Sequence, residues 1–268
     1  MRAVLSLHTG MRRGRRGAHV GRHGPRRQLP HHRRYGHAVG ERRQLHVLRE
    51  VRDGVSDRRA VYQRRDDGGN GEGPVAAILH RTGAGESQMG KIRVATEWFG
   101  GCAGCHMSFL DLDEWLFELV KVADVVYSPV ADVKEYPRDV DVVLIEGAMC
   151  ADEHVEKARV IRERTAVVIA FGDCAVTANV PAMRNPLGGA DVVLERAYID
   201  LADLNPQMPA DPALPVLLDR VVPLHNVIDV DIHMPGCPPP APRIQAVLEQ
   251  LVAGDEPTLI GRELLKFG

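Results

Sequence analysis

Aromatic side chains are scarce in this 268-residue chain, at 4% Phe, Trp and Tyr. A core built on ring packing is therefore excluded, and Val, Ile, Leu and Ala must supply it. No apolar run approaches the roughly 18 residues of a membrane-crossing helix, so no membrane span is expected. No internal repeat is present, which removes solenoids and propellers. Residues 1–88 lack Lys, Cys, Phe and Trp altogether; 19 arginines face 8 acidic residues there, while 89–268 carry the other 15 basic and 28 acidic residues. The net charge of −2 thus hides a basic and an acidic part.

The basic part is crowded with runs such as RRGRR and HHRRYGH and has no sustained apolar period, so it is not expected to fold alone. Such an arm can attract nucleic acid electrostatically, but the arginine bias has a simpler source. Nineteen arginines without a lysine are what a GC-rich gene yields when translated upstream of its real start, and Met89 opens MGKIRVATEW, where strand chemistry begins. A twin-arginine export signal is disfavoured because no apolar segment follows MRRGRRGAHVGRHGPRR. The expectation is a disordered or non-native extension over 1–88, no nucleic-acid partner, and one folded domain over 89–268. N-terminal sequencing of the native protein that begins at Met1 would overturn the misplaced start.

From Lys91 onward, short Val/Ile-rich runs alternate with helical patterns. IRVAT, DVVYSPV, DVVLIEGA and AVVIAFGDCA have the length and continuity of buried parallel strands. Phe109, Leu112, Leu116 and Leu119 fall on one face of a helix expected to start just after Cys105, with Ser108 and Asp111 resembling a capping box. A helix is expected over 152–164 and a last one carrying Ile244, Val247, Leu248 and Leu251. The stretch 179–224, rich in Pro, Asn and Gly, is expected to be irregular apart from a short helix around 191–204. This alternation predicts an open α/β sheet.

All five cysteines lie beyond residue 100. Cys102 and Cys105 form a CxxC; Cys174 and Cys237 each follow a predicted strand. Carboxyl ends of parallel strands share one edge, so thiols far apart in sequence can converge there. Four thiolates suit structural zinc or an iron-sulfur cluster. Zinc usually takes two compact knuckles, and this chain has one knuckle and two isolated cysteines, which favours a cluster. Gly101 and Gly104 would let backbone N–H groups approach the sulfurs, and the prolines around Cys237 would keep water away. Cys150 has no partner at cluster spacing and is expected to be a buried or free thiol.

CAGCHMSFLDLDEW, ADVKEYP, VLIEGA, FGDCAV, VPAMRNPLGGA, MPGCPP and GRELLKFG resemble, block by block, the small subunit of NAD-reducing bidirectional nickel-iron hydrogenases, most closely the cyanobacterial type. The resemblance covers 90–268. It implies a flavodoxin-like open parallel sheet with helices on both faces, holding one proximal 4Fe-4S cluster through Cys102, Cys105, Cys174 and Cys237. It also implies a cytoplasmic oxidoreductase complex in which the chain is not active alone: a large subunit carries the nickel-iron site, and diaphorase subunits pass electrons to NAD+. FMN beside the cluster is admitted by the resemblance, although no flavin signature stands out. The extra cysteine and histidine ligands of the larger uptake enzymes are absent, and Met107 stands where those enzymes place an acidic residue.

Other polar residues remain open at this point. Glu146 faces the cluster or the partner subunit, or is an exposed loop carboxylate; His106 is expected at a solvent-facing or interface position or donating to a sulfur, and Asp111, Asp113 and Glu114 are expected on a solvated helix face or at a subunit contact. The alternative function is the small subunit of another cofactor-coupled or hydrogen-sensing nickel-iron hydrogenase. Four thiolates kept for metal imply a reducing compartment.

Overall fold

The structure, a computed structural model, describes residues 90–261. The expectations for 1–88 and for the terminal block beyond Gly261 lie outside the described residues. The elements are β1 (Ile92–Trp98), α1 (Gly104–Leu110), α2 (Trp115–Val122), β2 (Ala123–Tyr127), β3 (Val140–Glu146), β4 (Met149–Ala151), α3 (Asp152–Arg164), β5 (Thr165–Phe171), α4 (Asp173–Thr177), a 3-10 segment Val180–Leu187, α5 (Ala190–Glu195), β6 (Leu217–Val222), β7 (Ile232–Met234) and α6 (Ala241–Ala253). Five strands form one sheet in the order β2-β1-β3-β5-β7, with every neighbouring pair parallel. The short strands β4 and β6 pair with each other as a separate antiparallel ribbon. Counted without them, the order is the flavodoxin-like 2-1-3-4-5, whose winding reverses between β1 and β3.

The central strands look continuously apolar because both of their faces are covered. Val143 and Ile145 of β3 and Val168 and Ala170 of β5 pack with Val155, Ala158 and Ile161 of α3 on one face. Val142, Leu144, Val167 and Ile169 pack with Leu119 of α2 and with Ile244, Val247, Leu248 and Leu251 of α6 on the other. The α/β sheet with helices on both faces is therefore borne out. Among the described residues no helix is long and apolar enough to cross a membrane.

Three local expectations need correction. The helix after the cysteines is two helices: α1 starts at Gly104, so that Cys105 lies in its first turn, and stops at Leu110. The chain turns through Asp113 at φ 48, a left-handed conformation that Asp tolerates better than most residues, and resumes as α2. Leu112 and Leu119 are still buried on the predicted side, which is why the apolar period ran across the break. Ser108 is not a cap; its hydroxyl donates to the Pro239 carbonyl at 2.5 Å. Finally, the stretch expected to be irregular contains β6.

The Arg-Asn pair of VPAMRNPLGGA explains how the 3-10 segment is held to that strand. Arg184 donates to the carbonyls of Leu218, Asp219 and Cys150. The Asn185 amide pairs with both backbone groups of Val221, donating to its carbonyl at 2.9 Å and accepting its N–H at 2.8 Å, as a neighbouring strand would. Val221 is buried, so Asn185→Ala strands a donor and an acceptor. A loss of about 1–3 kcal/mol is expected, read as an earlier chemical-denaturation midpoint; an unchanged midpoint would remove the clamp.

Candidate functional site

The loops leaving β1, β5 and β7 meet at the carboxyl edge of the sheet, next to the β1/β3 switch point where open α/β folds take ligands. Cys102 and Cys105 come from the first loop, Cys174 from the second and Cys237 from the third. The loops are clipped together by backbone bonds that bridge them. Gly100 and Ala148 exchange hydrogen bonds at 3.0 and 2.8 Å, joining the loops after β1 and β3. The Gly172 N–H donates to Met234 and the Asp173 N–H to Gly236, each at 2.8 Å. The buried Asp173 carboxylate in turn accepts the Gly236 N–H at 2.6 Å. Ser108 on α1 closes the ring by its bond to Pro239.

Cys105 is buried, Cys174 half-buried, and Cys102 and Cys237 are exposed; all are free thiols. Burial pushes the Cys105 thiol up, and charge on Glu146, Cys174, Cys102 and Cys237 pushes it further. Cys174 is also raised by burial, against the opposing pull of the nearby Val180 backbone N–H. The four predicted sulfurs therefore share one electrostatic neighbourhood. The prolines do not shield Cys237 from water as expected: the loop lies at the surface, and nothing among the described residues covers it.

The donor set fits an iron-sulfur cluster in this structure on two observations. A Cβ on Gly172 would sit 2.2 Å from the Cys105 sulfur, so the backbone approaches that sulfur as only a glycine allows. A side-chain N–H group already points at one of the sulfurs, from Asn179 to Cys237 at 3.5 Å, and the Val180 backbone N–H comes close to that of Cys174. Among the described residues, no three His, Cys, Asp or Glu side chains gather tightly enough around one point for a single metal ion; a cluster, whose thiolates spread over its corners, does not ask for that. Of the two glycines expected at the sulfurs, Gly104 is close to Cys102, 3.1 Å from its would-be Cβ, whereas Gly101 faces Gly147 and the Glu146 carboxylate.

The structure decides between the open readings of two polar residues. Glu146, at the end of β3 opposite Trp98 of β1, is 1% exposed rather than a loop carboxylate. Its Oε2 accepts the His106 backbone N–H at 3.0 Å and the His106 Nδ1 proton at 2.6 Å. His106 is buried rather than solvent-facing, between the rings of Trp98 and Phe171. Its Nε2 has no hydrogen-bond partner among the described residues. Asp111, Asp113 and Glu114 are exposed, as expected. Cys150 stands apart as a half-buried free thiol, pushed up to about 11 by burial against the opposing pull of Arg184. Sequence reasoning missed Gly172 and Asn179 as neighbours of the sulfurs; the GDC tripeptide was the one signal for the first.

The sequence pattern of the NADH ubiquinone oxidoreductase 20 kDa subunit family matches residues 102–251, beginning at the first cysteine of the site. A subunit of the F420-non-reducing hydrogenase of Methanothermobacter marburgensis is 41% identical over 62% of this chain, which spans 55% of that protein; the chain thus spans about half the length of such relatives. The delta subunit of the NAD-reducing hydrogenase HoxS of Cupriavidus necator is 38% identical over 66% of this chain and 87% of its own length. The fold is similar, with a TM-score of 0.64 and 38% identity, to a chain of an NAD+-reducing nickel-iron hydrogenase in its hydrogen-reduced state, covering 67% of this chain and all of that one. This chain therefore belongs to the family of the NADH ubiquinone oxidoreductase 20 kDa subunit, together with the small subunits of NAD-reducing nickel-iron hydrogenases.

Proposed function

We propose that this chain is the electron-relay small subunit of an NAD-reducing nickel-iron hydrogenase, holding one 4Fe-4S cluster through Cys102, Cys105, Cys174 and Cys237. The observation that carries the reading is the convergence of those four thiols, from three loops, at the switch point of the sheet. When bound, the cluster supplies one-electron transfer between a hydrogen-splitting nickel-iron site on a large subunit and diaphorase subunits that serve NAD+.

The chain's own contribution is to hold the sulfurs and choose their surroundings. Cys105 lies on the buried side, in the same apolar cluster as Phe171 and Met234, which excludes water there. Cys102 and Cys237 open to the surface; exposed Trp98 and Met107 flank Cys102 in the chain, and exposed Val180 and Met183 follow Cys174. Such an apolar rim around an exposed polar centre fits a surface covered by a partner, and the large subunit is the partner proposed. A reducing compartment, the cytoplasm, suits four thiols kept free for metal.

A second reading has one observation in its favour: the F420-non-reducing relative is slightly more identical than the NAD-reducing one. Another cofactor-coupled hydrogenase is thus the alternative.

The test is iron, acid-labile sulfide and zinc content of the anaerobically reconstituted full chain, with low-temperature EPR after reduction, beside Cys174→Ala. About four iron and four sulfide per chain are expected, with a signal that the variant loses or alters. Zinc without sulfide, or a cluster indifferent to Cys174, would sink the reading. Which acceptor the assembled complex reduces with hydrogen, nicotinamide or another, separates the two functions.

A further inference from the structure

We propose that Asn179 is a potential-setting residue of this site: its side-chain amide donates to the Cys237 sulfur and thereby favours the reduced form of the cluster those cysteines hold. The proposal rests on the cluster reading above and adds a role for a residue outside the ligand set.

The geometry begins one residue earlier. α4 carries Cys174 and ends at Ala178, which takes a left-handed φ of 64 with its N–H on the Cys174 carbonyl. That reversal turns the chain back across the cysteine loops and brings the Asn179 Nδ2 to 3.5 Å from the Cys237 sulfur. The segment that follows is fastened to β6 by Arg184 and Asn185. Asn179 therefore sits between two fixed points.

The common reason for an asparagine at this place is missing. Asn179 precedes the 3-10 segment as its capping residue, yet its side chain makes no cap hydrogen bond. The amide goes to sulfur instead. The next residue, Val180, brings its backbone N–H close to the Cys174 sulfur. One turn thus faces two of the four sulfurs, and its side-chain donor is the one that a substitution can remove without altering the backbone.

The physical consequence has a definite sign. Reduction adds negative charge that spreads onto the sulfurs, and a hydrogen bond to them is stronger in the reduced state, which raises the potential. Removing the donor makes the cluster harder to reduce. Asn179 and Cys237 are both exposed in this chain, and a partner that covers them would strengthen the effect by excluding water.

The test is an EPR-monitored redox titration of the reconstituted full chain, with iron and sulfide assayed in every sample, for the wild type, Asn179→Ala and Asn179→Asp. The alanine chain is expected to keep its iron and to shift its midpoint to more negative potential, by about a tenfold change in the reduced-to-oxidised ratio, or about 59 mV for one electron. The aspartate chain keeps the shape, loses the donor and adds charge, so its shift is expected in the same direction and larger. An unmoved midpoint in a fully loaded alanine chain would overturn the role. If the alanine chain loads poorly, the aspartate chain decides, and a wild-type or more positive midpoint there overturns it equally. A wild-type chain without iron and sulfide would instead overturn the cluster reading, an outcome distinct from an unmoved midpoint.

Discussion

A Gly172→Ala chain is expected to emerge from reconstitution with its iron and sulfide reduced by about tenfold or more, since every 1.4 kcal/mol lost at the site is a factor of ten. Two independent costs fall on one methyl group. Gly172 stands at φ 85 and ψ 164, a region essentially reserved to glycine, where another residue pays about 1–3 kcal/mol. The added Cβ would also lie 2.2 Å from the Cys105 sulfur and 3.3 Å from the Gly236 carbonyl oxygen. Cys105 is buried and cannot swing away, and the Gly172 N–H is tied to Met234, so either the sulfur leaves its place or the loops after β5 and β7 come apart. Gly90→Ala is the control, because a Cβ there meets nothing within 4 Å, and it is expected to load fully. Full loading of Gly172→Ala would mean that the backbone yields more easily than its bonds indicate, and that the tight approach to Cys105 does not hold the site.

That glycine illustrates where the sequence was legible and where it was not. The strands and α3 could be placed because their signals are local: α3 runs from Asp152 to Arg164 as expected, and continuous apolar runs gave β1, β3 and β5. The convergence of the cysteines was legible too, because parallel strands oblige their carboxyl ends to share an edge. The relations between loops were not. Asn179 reaches Cys237 across 58 residues, and Glu146 reaches His106 across 40; no periodicity carries such a pairing. Glu146 was ambiguous for a further reason. In a strand buried on both faces, a polar residue at the end looks the same whether the chain is leaving the core or turning a carboxylate into it. β6 was hidden by the prolines on either side, and its partner β4 has three residues, too few to show an alternation.

Glu146→Ala is expected to lower the stability of the cluster-free chain by about 3 kcal/mol or more, since it breaks a buried pair and leaves polar groups without partners. For a domain of this size that corresponds to a fall in Tm on the order of 10 °C, read by circular dichroism on the full chain. Oε2 of Glu146 accepts two hydrogen bonds from one residue, from the His106 backbone N–H and from Nδ1–H, and α1 opens the pocket to no replacement, because His106 packs against Trp98 and Phe171. Glu146→Gln is expected to fall between the two. Its carbonyl oxygen, in the place of Oε2, can accept both bonds, but as a neutral acceptor it holds them more weakly than a carboxylate does. Glu114→Ala, at an exposed carboxylate a few residues along, should change stability by no more than about 0.5 kcal/mol. If Glu146→Ala proved as mild as that, the carboxylate would not be what fastens α1, and with it Cys105, to the end of β3; the contacts of Ser108 with Pro239 would then have to carry the placement of the buried sulfur.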